Sequence, residues 1–497
     1  MNTNDSEELH ELLRVRREKL KKLRELGVDP YPYNFQRTHR VQEILDRYSD
    51  LEASGEEISL AGRIMSLRLM GKSCFAHLQD ASGRVQIYVQ LDAVGPKGFE
   101  IFKLFDIGDH LGVRGPVFRT KTGEITVRVK QFELLAKNLR PLPIVKEKEG
   151  RQFDAFTDKE ARYRQRYVDL VVNPEVRRVF EVRARMVQII RAFLDEWGFL
   201  ETDTPVLQPL YGGAAARPFV THHRVLERDF YLRIADELYL KRLIVGGYDR
   251  VYEIGPDFRN EGMDRNHNPE FSMLELYAAY EDYHFCMDLV EKMVVRLAEE
   301  LSGSTKVTYE DREYDLNPPW PRYKYYELLN EAVKQDLRKA SDEKIAAQCQ
   351  AVGLNLEAGK AGRGKLMDKL FGAAVEPNLP GPCFVLDHPI EISPLAKRHR
   401  QDPNLVERFE GFIAGREFCN AFSELNDPID QRDRFEAQAR LRAAGDEEAQ
   451  PLDEDFLTAL EIGMPPTAGL GVGLDRLVMF FTNQHSIRDV ILFPQMR

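Results

Sequence analysis

Residues 251–280 read VYEIGPDFRNEGMDRNHNPEFSMLELYAAY, and this stretch decides the fold. Two runs, VYEIGPDFRNE and EFSMLELYAAY, flank a polar turn that holds Gly262 and MDRNHNP. The pattern predicts a strand, a long tip and a returning strand. Side chains two apart share a strand face. Arg259 is therefore expected to share a face with Glu261, and Phe271 with Met273, Glu275 and Tyr277. A face with an arginine, two glutamates and a tyrosine sheds water poorly, and burying it without partners is costly. Such a face is either a solvated sheet side or a binding surface.

Two later segments repeat the theme. In EGFIAGREFCNAFSELND (410–427), Asn420, Phe422 and Glu424 fall at i, i+2 and i+4. Glu410 and Glu417 are further carboxylates, but a spacing of seven does not put them on one strand face. A bulge at Gly411 or at Gly415 would realign them. In GLGVGLDR (469–476), three alternate glycines let a backbone or a planar ligand approach closely. The spacing is not GxGxxG and no βαβ unit follows, so a dinucleotide fingerprint is excluded. A helix is expected from about Asp475. Arg476 then sits in its first turn, where a cation opposes the helix dipole and a ligand is a better reason for it. Two arginines, several carboxylates and an aromatic form a kit for nucleotide phosphates, with Mg²⁺ bridging carboxylate and phosphate oxygens. The chain has no GxxxxGK[ST] loop.

Outward from this core, PEVRRVFEVRARMVQIIRAFLDEWG predicts a long helix ended by Gly198. Its buried stripe is expected to hold Val179, Val182, Met186, Ile189, Ile190, Phe193 and Leu194. Residues 58–136 change to period two, in about five alternating runs that suggest a small antiparallel barrel. Residues 61–140 hold 13 Lys/Arg and 7 Asp/Glu, although the whole chain carries −11. A basic barrel in an acidic protein suits nucleic acid, with Phe75, His77 and Gln86 on its strands for stacking and base-edge contact. Upstream, residues 10–26 read as an amphipathic helix with leucines on one side. Seven cations lie between Arg14 and Arg24, and the helix is either solvated or a basic arm for phosphates. Residues 353–382 are rich in glycine and proline and read as an insertion.

The 497 residues suffice for about three domains. With 43% hydrophobic and 30% charged residues, a disordered or integral membrane chain is not expected. No apolar run is long enough for a spanning helix. Five scattered cysteines with no CxxC pair argue against a disulfide framework and for a reducing compartment.

FRNE with its hairpin and GLGVGLDR resemble motifs 2 and 3 of class II aminoacyl-tRNA synthetases, and the long helix with the strand at Pro205 resembles motif 1. A barrel ahead of this core is similar to the aspartate, asparagine and lysine subgroup. GGAAARPFVTHH (212–223), RIADELYLKRLIVGGYDRVYEIG (233–255), EFCNAFSELND (417–427) and PPTAGLGVGLDR (465–476) resemble bacterial-type lysyl-tRNA synthetases. The resemblance covers nearly the whole chain. It implies an α+β fold, with an N-terminal OB-fold β-barrel and a class II synthetase catalytic domain built on an antiparallel β-sheet flanked by helices. The expected divisions are a basic helical arm (1–56), the anticodon-binding barrel (57–140), a linker (141–174) and the catalytic domain (175–497) with an insertion at about 325–382.

The same resemblance implies the site. Lysine would be bound by Gly213, Glu237, Arg259, Glu275, Tyr277, Asn420 and Glu424. ATP would be bound by Arg259, Glu261, His267, Phe271, Glu417 and Arg476, with adenine between Phe271 and Arg476. Glu410 and Glu417 would hold Mg²⁺, and Arg259 and Arg476 would carry catalysis. Phe75, Gln86 and Glu124 would meet the anticodon of tRNA(Lys). A cytoplasmic homodimer is implied. Physical chemistry favours lysine within the subgroup: carboxylates left unpaired would reject a side chain that lacks an ammonium. The competing readings are a homologue that lysylates a protein and a non-catalytic tRNA-binding homologue.

Overall fold

In the computed structural model, residues 3–143, 146–148, 151–153, 156–356, 362–443, 445 and 448–496 are described. Parts of the expected linker and residues 357–361 of the expected insertion lie outside them. The chain forms two compact units, Met1–Arg162 with Tyr167–Val172, and Tyr163–Arg166 with Asn173–Arg497.

In the first unit, helix α1 (Thr3–Glu25) ends at Gly27, whose φ of +79° suits a residue without Cβ. Leu23 is buried, whereas Leu12 stays 41% exposed, so the leucine stripe is mostly half-open. Two of the expected surface cations are structural. Arg16 is buried and donates to Ile107 O at 3.1 Å, and Lys19 pairs with Asp106 at 2.5 Å. Arg14 lies between Glu11 and Glu18.

Seven strands follow rather than five: β1 (Ile58–Met70), β2 (Ser73–Gln79), β3 (Arg84–Gln90), β4 (His110–Gly115), β5 (Val117–Arg119), β6 (Ile125–Val129) and β7 (Gln131–Ala136). Their order is β5-β6-β3-β2-β1-β4-β7. The two extra strands arise because Pro116 and Lys130 each break an expected run. Proline has no N–H for a ladder, and around this break Arg128 N donates to Pro116 O and Lys130 N to Arg114 O. β1 pairs with both β2 and β4, and a bulge between Ile64 and Ser66 lets it turn from one to the other. β3 and β6 pair in parallel, an exception to the expected antiparallel pattern.

The second unit is built on an eight-stranded sheet. Its strands are β8 (Leu200–Glu201), β9 (Arg250–Phe258), β10 (Glu270–Ala279), β11 (Arg322–Lys324), β12 (Cys383–Leu386), β13 (Arg408–Ile413), β14 (Arg416–Ser423) and β15 (Thr467–Gly473). Their order is β8-β9-β10-β15-β14-β13-β12-β11. The six inner strands run antiparallel, and each edge strand is parallel to its neighbour.

Alternation sorts the sheet into two faces. Leu274, Leu276, Ala278, Cys419, Ala421, Ala468, Leu470 and Val472 join the main core with helices α2 (Glu175–Glu196) and α4 (Tyr283–Ser302). Full burial of the leucine and valine side chains among them contributes about 1.5–3 kcal/mol each, so this face fixes the register. The buried stripe of α2 is as expected except that Val182 is only half-buried. The opposite face carries the polar residues. Helix α3 (Glu237–Val245) covers part of it, and Leu238, Leu240 and Ile244 pack in a smaller core with Tyr277, Phe435 and Phe456. Part of the expected insertion is regular: helix α5 (Arg363–Ala374) packs Leu366, Met367, Leu370 and Phe371 into a third core. Helix α6 (Leu474–Phe481) starts directly after β15.

Candidate active site

The floor of the site is the glycine strand. β15 lies between β10 and β14, with Gly469 opposite Tyr277 and Phe422, and Gly471 opposite Glu275 and Asn420. A Cβ on Gly469 would overlap Glu424 Oε1, and one on Gly471 would reach Glu275 Oε1 at 2.5 Å. The glycines thus make room for protein side chains, which stand over them. Tyr277 OH donates to Glu275 Oε2 at 3.2 Å.

The wall comes from α3. Glu237 Oε1 accepts from Lys241 Nζ at 2.5 Å, and Lys241 also pairs with Glu424 Oε2. All three side chains are buried. The Lys241 ammonium lies within 6 Å of the rings of Tyr277, Phe422 and Phe456. Glu424 Oε1 is buried with no hydrogen-bond partner. Gly213 has φ +88° and a Cβ there would come 3.2 Å from Glu237 Cβ, so only glycine lets that segment close on the wall. Burial pushes the Glu275 and Glu424 carboxyls well above the usual carboxylate range; the Glu237 charge adds to both, while Lys241 pulls Glu424 back down. Burial also raises Glu237, although Lys241 pulls it down. Gly213, Glu237, Glu275, Tyr277 and Glu424 are therefore brought together. Asn420 lies across Gly471 from Glu275, and its Oδ1 accepts from Arg408 Nε at 2.8 Å.

At the end of β9 the expected strand stops early. Phe258 is its last residue, and Glu261 N donates to Arg259 O within a tight turn. Arg259 and Glu261 therefore do not share a strand face. The cause is local: Asn260 N leaves the ladder to donate to Arg217 O at 2.8 Å. The Arg259 guanidinium lies 5.0 Å from the Phe271 ring centroid and its Nε donates to Ile234 O. Glu261 and His267 are exposed on the hairpin tip, where His267 Nδ1 meets Asp264 Oδ2 at 2.8 Å. Behind Arg259, Arg233 is buried between Glu253 and Asp257. Burial pushes Asp257 up to about 6, against the pull of Arg259 and Arg233.

Across the sheet, the register between β13 and β14 shifts after Gly411, so that Gly411 faces Cys419 and Phe412 faces Glu417. This is the bulge that one sequence reading placed at Gly411, and it puts Glu410 and Glu417 on one side. Arg408 Nη2 donates to Glu410 Oε1 at 2.6 Å. Arg476 Nη1 donates to Glu417 Oε2 at 3.1 Å. Burial pushes Glu410 up to about 8; Arg408 opposes this, while Glu417, Glu376 and Asp368 add to it. Asp475, beside Arg476, accepts from Ser272 N at 2.8 Å and from Arg183 of α2, which anchors the start of α6.

In the first unit, Phe75, Gln86 and Glu124 form one surface. Phe75 stacks on Tyr88 at 4.6 Å. Gln86 Nε2 donates to Glu124 Oε2 at 2.6 Å, and His77 Nε2 lies 2.7 Å from Glu124 Oε1.

Sequence reasoning passed over Lys241, Arg408, Glu376 and Tyr88. Lys241 sits in YLKRL, where a lysine on an amphipathic helix reads as solvent-facing. The available signal was its i, i+4 spacing from Glu237.

A glycine-floored acid cage beside two arginines thus stands on the antiparallel sheet of a chain whose first unit is a separate seven-stranded sheet. The family model of class II tRNA synthetases (D, K and N) matches residues 158–497, and that of the OB-fold nucleic acid binding domain matches residues 58–135. The chain belongs to the class II tRNA synthetases of the D, K and N group. Within that group its similarity runs end to end with lysine–tRNA ligases. That of Moorella thermoacetica is 55% identical over 98% of each chain. That of Pelotomaculum thermopropionicum is 53% identical over 99% of this chain and 96% of its own. That of Carboxydothermus hydrogenoformans is 52% identical over 99% of each.

Proposed function

We propose that this chain is a lysine–tRNA ligase. It activates L-lysine with ATP to lysyl-adenylate and pyrophosphate, then transfers lysine to the 3′-terminal adenosine of tRNA(Lys). The observation that carries the lysine reading is the cage of buried Glu237, Tyr277 and Glu424 with half-buried Glu275, which offers carboxylates and an acceptor to a cationic chain. Glu237 takes the α-ammonium. Glu275, Tyr277, Asn420 and Glu424 take the ε-ammonium, and Gly213 lets the covering segment approach. Arg259 receives the substrate carboxylate and the α-phosphate.

The lysine carboxylate is ionised at neutral pH, so it attacks the α-phosphorus without a protein base. Arg259 and Arg476 align the reactants and spread the developing charge. Adenine stacks on Phe271 with Arg476 on its far side, which requires the Arg259 guanidinium to give up the ring face it now covers. Glu261 and His267 on the hairpin tip close on the nucleotide.

Glu410 and Glu417 are the residues that would hold Mg²⁺. The donor set fits: half-buried Glu410 lies among carboxylates that repel its charge. Among the described residues no group of three or more His, Cys, Asp or Glu is placed to hold a metal. Mg²⁺ takes one or two carboxylates and completes its octahedron with water and phosphate. Bound there, the ion would neutralise phosphate charge.

Phe75, Gln86 and Glu124 meet the anticodon, with Phe75 supplying a stacking face. A homodimer through the segment around α2 is the expected assembly. A cytoplasmic setting accords with five free, buried thiols. No helix among the described residues is long and apolar enough to cross a membrane.

The deciding experiment is ATP–pyrophosphate exchange with each of the twenty amino acids, without tRNA. Exchange stimulated by lysine alone is expected. Stimulation by aspartate or asparagine, or by none, would overturn the reading.

A further inference from the structure

The acid cage already holds an ammonium of its own. Lys241 has no exposed surface, yet its Nζ lies 2.5 Å from Glu237 Oε1, in an ion pair with Glu424 Oε2, and within 6 Å of three aromatic rings. Those two carboxylates are the ones read above as the seats of the α- and ε-ammonium groups of the substrate. A buried lysine costs stability unless it is paired. Here one cation is shared by two carboxylates that would otherwise repel each other in a low-dielectric pocket. Glu424 Oε1 is left without a partner, over Gly469. One resident cation thus links the two subsites and leaves an acceptor free for a second.

We propose that Lys241 is a positioning residue for lysine recognition: it holds Glu237 and Glu424 together as one pre-formed ammonium receptor. The proposal rests on the lysine–ATP reading above. Lys241 does not touch the reacting atoms and acts through the two carboxylates. The other titratable and charged groups facing the pair are Asp236 beside α3, Glu275 and Tyr277 on β10, Arg408 on β13 and Cys286 on α4. Arg408 is the one other cation in that set, and it is engaged with Asn420 and Glu410. Without Lys241, mutual repulsion and burial drive a carboxyl of the pair to take up a proton. The incoming ammonium then meets a neutral acid. Each unit by which that carboxyl rises above the assay pH reduces the ionised fraction about tenfold.

The test is lysine-dependent ATP–pyrophosphate exchange between pH 6 and 8.5 on the full chain, comparing wild type with Lys241→Met and with Lys241→Gln, which is slightly shorter but keeps a donor without the charge. The expected result is a rise of about tenfold or more in the lysine KM at pH 7 in both variants. The ATP KM should be unchanged, and the ratio of variant to wild-type lysine KM should shrink as pH rises. A lysine KM within about twofold of wild type, or a ratio independent of pH, would overturn the proposal. Failure of both variants to fold would assign Lys241 to the fold instead and also overturn it. Absence of lysine-dependent exchange in the wild type would strike the underlying reading, not the role of Lys241.

Discussion

Gly469 and Gly471 act by what they lack. Each leaves space that a carboxylate occupies, Glu424 over the first and Glu275 over the second. Gly469→Ala would force Glu424 and Tyr277 aside. Overpacking of this kind costs about 1–3 kcal/mol. The lysine KM should rise by an order of magnitude or more, and the melting temperature should fall; an alanine variant with wild-type lysine kinetics would refute the floor assignment. A second residue-scale outcome concerns protons. Burial and the neighbouring Glu237 and Asp257 charges push the Glu275 carboxyl well above the usual carboxylate range, and an ammonium favours its ionised form. Lysine binding should therefore release protons, and affinity should tighten as pH rises above about 4.5. Calorimetry in two buffers of different ionisation enthalpy, repeated from about pH 4.5 upwards, reads the proton count, and zero release at every pH would contradict it. For folding the sign is opposite to that of a salt-bridged carboxylate. The folded chain keeps protons that the unfolded chain has lost, so this contribution to stability is present at low pH and fades as pH rises. At this scale the glycines and glutamates were legible because their spacing is periodic. Lys241 was not: its i, i+4 spacing from Glu237 reads as an ordinary surface pair until Glu424, from another element, closes over it.

At the scale of elements, the bulge after Gly411 decides which carboxylates meet. Without it, the parity of β14 would send Glu417 to the face opposite Glu410. A Cβ at Gly411 would come within 2.5 Å of Cys419 Sγ, which lies across the pair on the core side. Gly411→Val should straighten or displace the bulge. Exchange activity should then fall, and the Mg²⁺ concentration needed for half-maximal rate should rise several-fold; a variant with an unchanged Mg²⁺ requirement would argue against Glu410 and Glu417 acting as a pair. The hairpin of β9 and β10 could be read from alternation, because one face is apolar in its middle rows, with Tyr252 opposite Leu276 and Ile254 opposite Leu274. The bulge could be suspected from its glycines but not assigned between Gly411 and Gly415, since both lie near the turn and only pairing distinguishes them. The seven strands of the first unit were read as five because Pro116 and Lys130 interrupt runs that stay apolar on either side. Helix α5 was missed because glycine and proline on both sides masked an apolar stripe of only four residues.

For the whole molecule, charge is divided unevenly. Residues 61–140 carry 13 Lys/Arg against 7 Asp/Glu within a chain of net charge −11. The two units have separate cores, and each holds part of the proposed chemistry. Their functions should therefore separate by mutation. Phe75→Ala should weaken tRNA(Lys) charging by about 1–3 kcal/mol of lost stacking, seen in the tRNA KM, and leave lysine-dependent exchange without tRNA unchanged. A parallel loss of exchange would show that the barrel face also serves adenylation. The buried cysteines have a practical consequence of another kind. All five thiols are shut away from reagents, and burial pushes Cys74 up to about 11 and Cys383 up to about 12, so neither forms the reactive thiolate near neutral pH. A single cysteine introduced at fully exposed Tyr33 should be the one fast-labelling position in the native chain. The protein is in that sense already prepared for site-selective fluorophore attachment, without any prior removal of its own sulfur.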